Sequence, residues 1–160
     1  MNAKSDTQAP RKFLVVIDGT PESHVALRFA ARRALHTNGI VSLLVVLEPE
    51  GFQHWLGVQD IMEEEARGEA EALLHRHAAD VNAITGAMPE LVVREGRKTE
   101  EVRALIEEDN TIAVLVLAVG EENKDNPGPL VSLLTQSAAF TIPVTLVPGN
   151  LTDDQIDALA

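Results

Sequence analysis

The chain has no cysteine. That excludes a disulfide framework, thiol catalysis and a thiolate metal site. Long apolar runs are missing too. The longest are strand-length, far short of the ~20 residues a membrane-crossing helix needs. Positive charge is scarce: 13 Lys and Arg stand against 25 Asp and Glu, for a net charge of −12. Nucleic acids and anionic membranes are bound by basic surfaces, so neither is an expected partner. Residues 1–10, MNAKSDTQAP, carry no apolar stretch of the kind found in a secretory signal. They read as a disordered leader, and the protein is expected in the cytoplasm.

Several chemical signatures are absent as well. No GxGxxG follows a strand and no GxxxxGK[ST] occurs, which argues against a dinucleotide fold and a P-loop NTPase. No GxSxG elbow supplies an α/β-hydrolase nucleophile. A phospho-acceptor receiver domain would need clustered acids after the first strand and an Asp after the third. The first strand ends on the single acid Asp18, and the third on Arg94-Glu95-Gly96. No nucleophile–base pair or carboxylate dyad stands out, so a binding role is expected in place of an enzymatic one.

What is present is an alternation. A chain of 160 residues fits one domain that buries about two thirds of its unfolded surface. Apolar strands are expected at Lys12 to Ile17, Ile40 to Leu47, Glu90 to Arg94, Ile112 to Val119 and Pro143 to Val147. Between them the apolar spacing predicts helices from Pro21 to His36, Gln59 to Ala83, Glu100 to Glu108 and Leu130 to Phe140. In the second helix Met62, Ala66, Ala70, Leu73, His77 and Val81 form the expected buried stripe, which makes His77 a hydrogen-bonded core histidine. Thr152 and Gln155 have capping-box spacing and predict a short helix in the 150–160 tail. Five strands separated by helices imply an α/β fold: an open parallel sheet with right-handed crossovers and helices on both faces.

The opening strand–helix unit is the most informative. Phe13 to Ile17 ends abruptly on Asp18-Gly19-Thr20, with Thr20 as expected N-cap and Pro21 in the first helical turn. A carboxylate and a helix N-terminus thus meet at a strand end, where open α/β sheets bind ligands. Asp18 reads either as a ligand contact or as a cap for local N–H groups. His75 and His77 are two apart on a helix and point in different directions, so no metal site is expected. His54-Trp55 reads as a packed loop, or as a lid or partner contact. Glu63-Glu64-Glu65 reads as a solvated helix face or as a partner-facing patch.

In order along the chain, VVIDGTPESHVALRFAARRA, LLVVLEP, VVREGRKTEEVRALIEED, IAVLVLAVG and IPVTLVPG resemble the universal stress protein family over residues 11–149. The resemblance implies a Rossmann-like, adenine nucleotide alpha hydrolase-like fold with sheet order 3-2-1-4-5. It also implies an adenine nucleotide, AMP or ATP, at the switch point between the first and fourth strands. The nucleotide-binding residues it points to are Asp18, Gly19, Val46, Gly120, Gly128 and Ser132. Val46 would offer its backbone to an adenine edge, and otherwise is core.

The family's phosphate pattern is Gly, two residues, Gly, nine residues, then Gly and Ser or Thr. Here Gly120 fits the first position but Asn123 stands at the second, and nine further residues lead to Leu133-Leu134. Gly128 and Ser132 fit only with a shifted alignment. Glu121, Glu122 and Asp125 face a single Lys124, and Pro129 removes an amide donor. Like charges this close cost about 1 kcal/mol in water and several in a partly buried site. The phosphate loop is therefore read as degenerate.

In the implied order the fifth strand is a sheet edge, and hydrophobic edges invite pairing with another chain. A homodimer through Val144, Thr145, Leu146 and Val147 is expected, as the family resemblance also implies. Three roles follow: a homodimeric regulatory binding protein of the stress response with weak or no ATP binding; an ATP-binding, nucleotide-gated switch; or a scaffold with a vestigial cleft whose surface meets a protein partner.

Overall fold

A computed structural model of the chain describes residues 9–49, 56–120, 129–134 and 140–160, with no side-chain detail at 56–59. Ten elements alternate: β1 (Lys12–Val16), α1 (Glu22–Thr37), β2 (Ile40–Leu47), α2 (Leu56–Thr85), β3 (Glu90–Glu95), α3 (Lys98–Glu108), β4 (Ile112–Val119), α4 (Pro129–Leu134), β5 (Val144–Pro148) and α5 (Asp153–Leu159). The five strands form one sheet of order β3-β2-β1-β4-β5 with every neighbouring pair parallel.

Each central strand feeds two cores, because successive side chains point to opposite faces. Phe13, Val15 and Ile17 pack with Val41, Leu43 and Val45 under α1 and α2, joined by Ile156 of α5. Leu14 packs with Leu44, Leu115 and Leu117 under α3 and Leu130 of α4. Val15, Ile17, Leu44 and Val116 are buried, while Val114 and Val144 are only partly covered. The near-continuous apolar reading of β2 and β4 follows from burial on both faces.

α1 approaches the sheet closely because its inner face is mostly alanine: Ala26, Ala30, Ala31 and Ala34 are all buried. It stops at Asn38, which adopts the left-handed conformation at φ 56°. Gly39 follows where a side chain has no room, since a Cβ there would meet the Arg11 carbonyl oxygen at 2.7 Å.

Several local expectations need correction. Thr20 does not cap α1; its hydroxyl donates to Asp18 instead, and the helix opens at Pro21 without a side-chain cap. The buried line of α2 is Ala70, Leu74, Ala78 and Val81, rotated from the predicted stripe, and Met62 is exposed. His77 therefore sits at the rim of that line, half-buried. Its Nδ1 is buried without a hydrogen-bond partner, 3.8 Å from an Asp80 oxygen. Burial pushes its pKa below the usual imidazole value, opposed by Asp80 and reinforced by His24 and Arg76. α3 starts two residues earlier than expected. α4 is described only from Pro129 to Leu134, and Phe140 is not helical.

The tail folds back. α5 has the predicted capping box, with Thr152 Oγ1 accepting from the Gln155 amide and Gln155 Oε1 accepting from the Thr152 amide. Arg28 and Arg32, one turn apart on α1, both donate through two nitrogens to Asp157. Ile156 is fully buried beneath them.

Candidate functional site

The carboxyl ends of β1, β2 and β4 open onto the switch point of the sheet, where the crossovers leave in opposite directions. β1 continues one bond past its end, Ile17 N–H to the Leu44 carbonyl at 2.8 Å. The chain then turns sharply through Asp18 and Gly19, whose φ of 80° is a left-handed value that favours glycine.

Asp18 is organised by its own turn. Its Oδ1 accepts from the Thr20 amide at 3.0 Å, the Thr20 hydroxyl at 2.6 Å and the Ser23 hydroxyl at 2.8 Å. Ser23 is buried and lies in the first turn of α1. Burial pushes the Asp18 carboxyl up, but the bonds from Thr20 and Ser23, aided by the Lys98 charge, outweigh it and hold the group below its usual range. Among the described residues Oδ2 accepts no hydrogen bond. Asp18 thus serves as a local cap through Oδ1.

Two cavities flank it. One of about 770 Å³ lies between the β1–β2 ends and α2, lined by Asp18, Gly19, Val45, Val46, Leu47, Leu73, Arg76 and Lys98 among others. The other, about 90 Å³, lies between the β1–β4 ends, α1 and α4, and includes Asp18, Thr20, Glu22, Ser23, Lys98 and Leu130. Asp18, Gly19 and Val46 are therefore brought together, although the Val46 side chain also packs against the α3-side core.

Gly120 stands at the end of β4, and its open side is already filled. A Cβ there would meet Glu22 Oε1 at 2.7 Å. Gly149, beyond β5, contacts the same side chain: its Cβ would lie 2.9 Å from Glu22 Cγ and 2.6 Å from the Val119 carbonyl oxygen. The α4 residues at the smaller cavity are Pro129, Leu130 and Val131, not Ser132. Gly128, Asn123, the acids Glu121, Glu122 and Asp125, and the pair His54-Trp55 lie outside the described residues.

Sequence reasoning missed Lys98. It is the first residue of α3, with its backbone N–H donating to Glu48 Oε1 at 3.1 Å. Its side chain lines both cavities above and a third of about 580 Å³ beside Glu48, Gly96 and Arg97. The signal was the Glu95-Gly96 strand end, which puts the start of α3 at the same end of the sheet as Asp18. Gly96, at φ 142°, makes that turn with Glu101 packed against it.

A cavity of about 490 Å³ at the opposite end of the sheet is lined by residues such as Leu35, Gly39, Val41, Val81, Met88 and Pro89, with no ionisable side chain. Among the described residues no group of three or more His, Asp or Glu has the geometry to hold a metal. Nor is any helix among them long and apolar enough to cross a membrane.

Comparison with known proteins gives consistent matches. A universal stress protein from Lactobacillus plantarum superposes with a TM-score of 0.70 at 14% identity, covering 87% of this chain and 98% of that one. A universal stress protein solved in complex with cAMP gives 0.66 at 16%, covering 89% and 99%. One from Archaeoglobus fulgidus gives 0.63 at 19%, covering 86% and 93%. At such identities these likenesses establish the fold. No curated protein sequence matches the chain. The sequence model of the universal stress protein family matches residues 10–127, most of the chain. The chain belongs to the universal stress protein family.

Proposed function

We propose that the chain is a homodimeric regulatory binding protein whose switch-point cleft takes an adenine nucleoside or its monophosphate and binds ATP weakly or not at all. It works as a binding module and not as an enzyme. The observation that carries this is Asp18, kept ionised through Oδ1 with Oδ2 open beside a cavity of about 770 Å³. A fixed carboxylate with a free oxygen is the acceptor a ribose hydroxyl requires. That a relative of the same fold was solved with cAMP supports a nucleotide class.

The polyphosphate side is the weak half. Glu22 stands against Gly120, and the sequence adds Glu121, Glu122 and Asp125 next to it. Each further phosphate adds repulsion there and not affinity. Pairing through β5 supplies the dimer.

Calorimetry with adenosine, AMP, ADP and ATP tests the reading. Adenosine and AMP are expected to bind at least as tightly as ATP. An affinity that is highest for ATP and falls stepwise to AMP would overturn it and make the protein a nucleotide-gated switch.

A further inference from the structure

Resting on the ligand class just proposed, we infer that the ligand's anionic group is received by Lys98, on the β2–β3 side of the cleft, because Glu22 closes the position over Gly120.

The two charged side chains divide the strand ends between them. Glu22 Oε1 lies where even a methyl group on Gly120 would be in contact, and Glu22 Cγ covers Gly149 in the same way. The carboxylate therefore occupies the space a glycine leaves for an approaching anion, at the N-terminal turn of α1. An anion brought there meets a like charge, in a cavity of only about 90 Å³ that Asp18 also lines.

Lys98 presents the opposite situation. It reaches three adjoining cavities, and among the described residues its ammonium has no ion-pair partner. Most other described cations are engaged, Lys12 with Asp109 and Glu90, Arg28 and Arg32 with Asp157, Arg67 with Glu95, Arg94 with Glu108, whereas Arg11 and Arg33, also without an ion pair among the described residues, lie away from the cleft. In the 770 Å³ cavity Arg76 is a second cation without such a partner, against the carboxylates of Asp18 and Glu69. For a chain with net charge −12, two cations without ion-pair partners lining one cavity mark the place for an anion. A monophosphate supplies one charged group for Lys98, with the ribose on Asp18.

Calorimetry with adenosine and AMP on wild type, Lys98→Gln and Glu22→Gln, together with a pyrophosphate titration followed by amide NMR, tests the assignment. Wild type should bind AMP roughly tenfold more tightly than adenosine. Lys98→Gln should erase that difference while leaving adenosine binding intact. Pyrophosphate should shift the amides around Lys98 in wild type and not in Lys98→Gln. It should shift the Gly120 amide only in Glu22→Gln. If neither adenosine nor AMP binds wild type, the proposed function fails, and the pyrophosphate shifts still decide the charge assignment. An AMP advantage that survives Lys98→Gln, or pyrophosphate shifting Gly120 equally in wild type and Glu22→Gln, would overturn the inference.

Discussion

Lys12, at the start of the central strand, donates to Asp109 Oδ2 at 2.6 Å across 97 residues of sequence. Thr111 completes the anion's partners through its amide and hydroxyl. The hydrogen bonds from Lys12 and Thr111 hold the Asp109 carboxyl down at about 2, against a small opposing effect of burial. A lowered folded pKa stabilises the fold fully above the unfolded value and loses that contribution as pH falls from about 4 to about 2. Asp109→Asn should cost about 1 kcal/mol at neutral pH, after allowing for solvent screening, and flatten the acid limb over that window. Urea unfolding at pH 7, 4 and 2.5 measures both, and an unchanged acid limb would count against the assignment.

The clamp between α1 and α5 is the second test. Ile156 is fully buried, and truncating it leaves a cavity under Arg28 and Arg32. Ile156→Ala should destabilise by about 2 kcal/mol or more, and Thr152→Ala, which removes the cap, by about 1 kcal/mol. Thermal unfolding of both variants decides whether α5 is part of the cooperative unit. Loss of α5 amide protection with no change in Tm would show that it docks separately.

For the dimer, the ladder singles out one residue. Pro143 O accepts from the Leu115 amide and the Gly149 amide donates to Val119 O. By alternation Thr145 and Val147 face β4, and Leu146 turns its N–H away from the sheet. Leu146 is also an exposed large hydrophobic at this edge, 45% accessible. Leu146→Pro should therefore give monomers without unfolding the chain, whereas Thr145→Pro also breaks the β4–β5 ladder. Light scattering reads the mass and circular dichroism reads the fold. A folded Leu146→Pro variant with dimer mass would refute the β5 interface.

Asp18→Ala removes the acceptor of three hydrogen bonds as well as the ligand oxygen, so it confounds two effects. Asp18→Asn keeps one carbonyl oxygen for Thr20 and Ser23 and removes the charge. It should weaken adenosine binding about tenfold and lower Tm less than Asp18→Ala does. Equal adenosine affinity in wild type and Asp18→Asn would remove Asp18 from the site.

The strand–helix alternation and the terminal helix were legible because each rests on periodicity or on a local cap, whereas the sheet order came from the family resemblance. The register of α2 was not. Leu73-Leu74 and His77-Ala78 are adjacent pairs, and either line fits helical spacing. The structure selects Leu74 and Ala78, and at the second pair that is the small side chain over the bulky one. Lys98 and Glu22 were invisible for a different reason. Lys98 lies outside the expected third helix and Glu22 inside the expected first one, and only the fold brings both to the strand ends that carry Asp18 and Gly120. Asp18 was found because it ends a strand itself, and Gly120 came with the family resemblance.

The sheet order also governs how the protein is made. Of the five strands β1 is the first to be made, yet it occupies the middle of the sheet, between β2 and β4. β2 arrives soon after it, but β4 begins only at Ile112, and Asp109 is made just before it. The nascent chain must therefore carry one open edge of its central strand through most of synthesis. Closing that edge brings together residues about a hundred positions apart, which makes the β1–β4 pairing the slow, non-local step of folding. Until β4 emerges, the half-built sheet is the stage most exposed to association with other nascent chains.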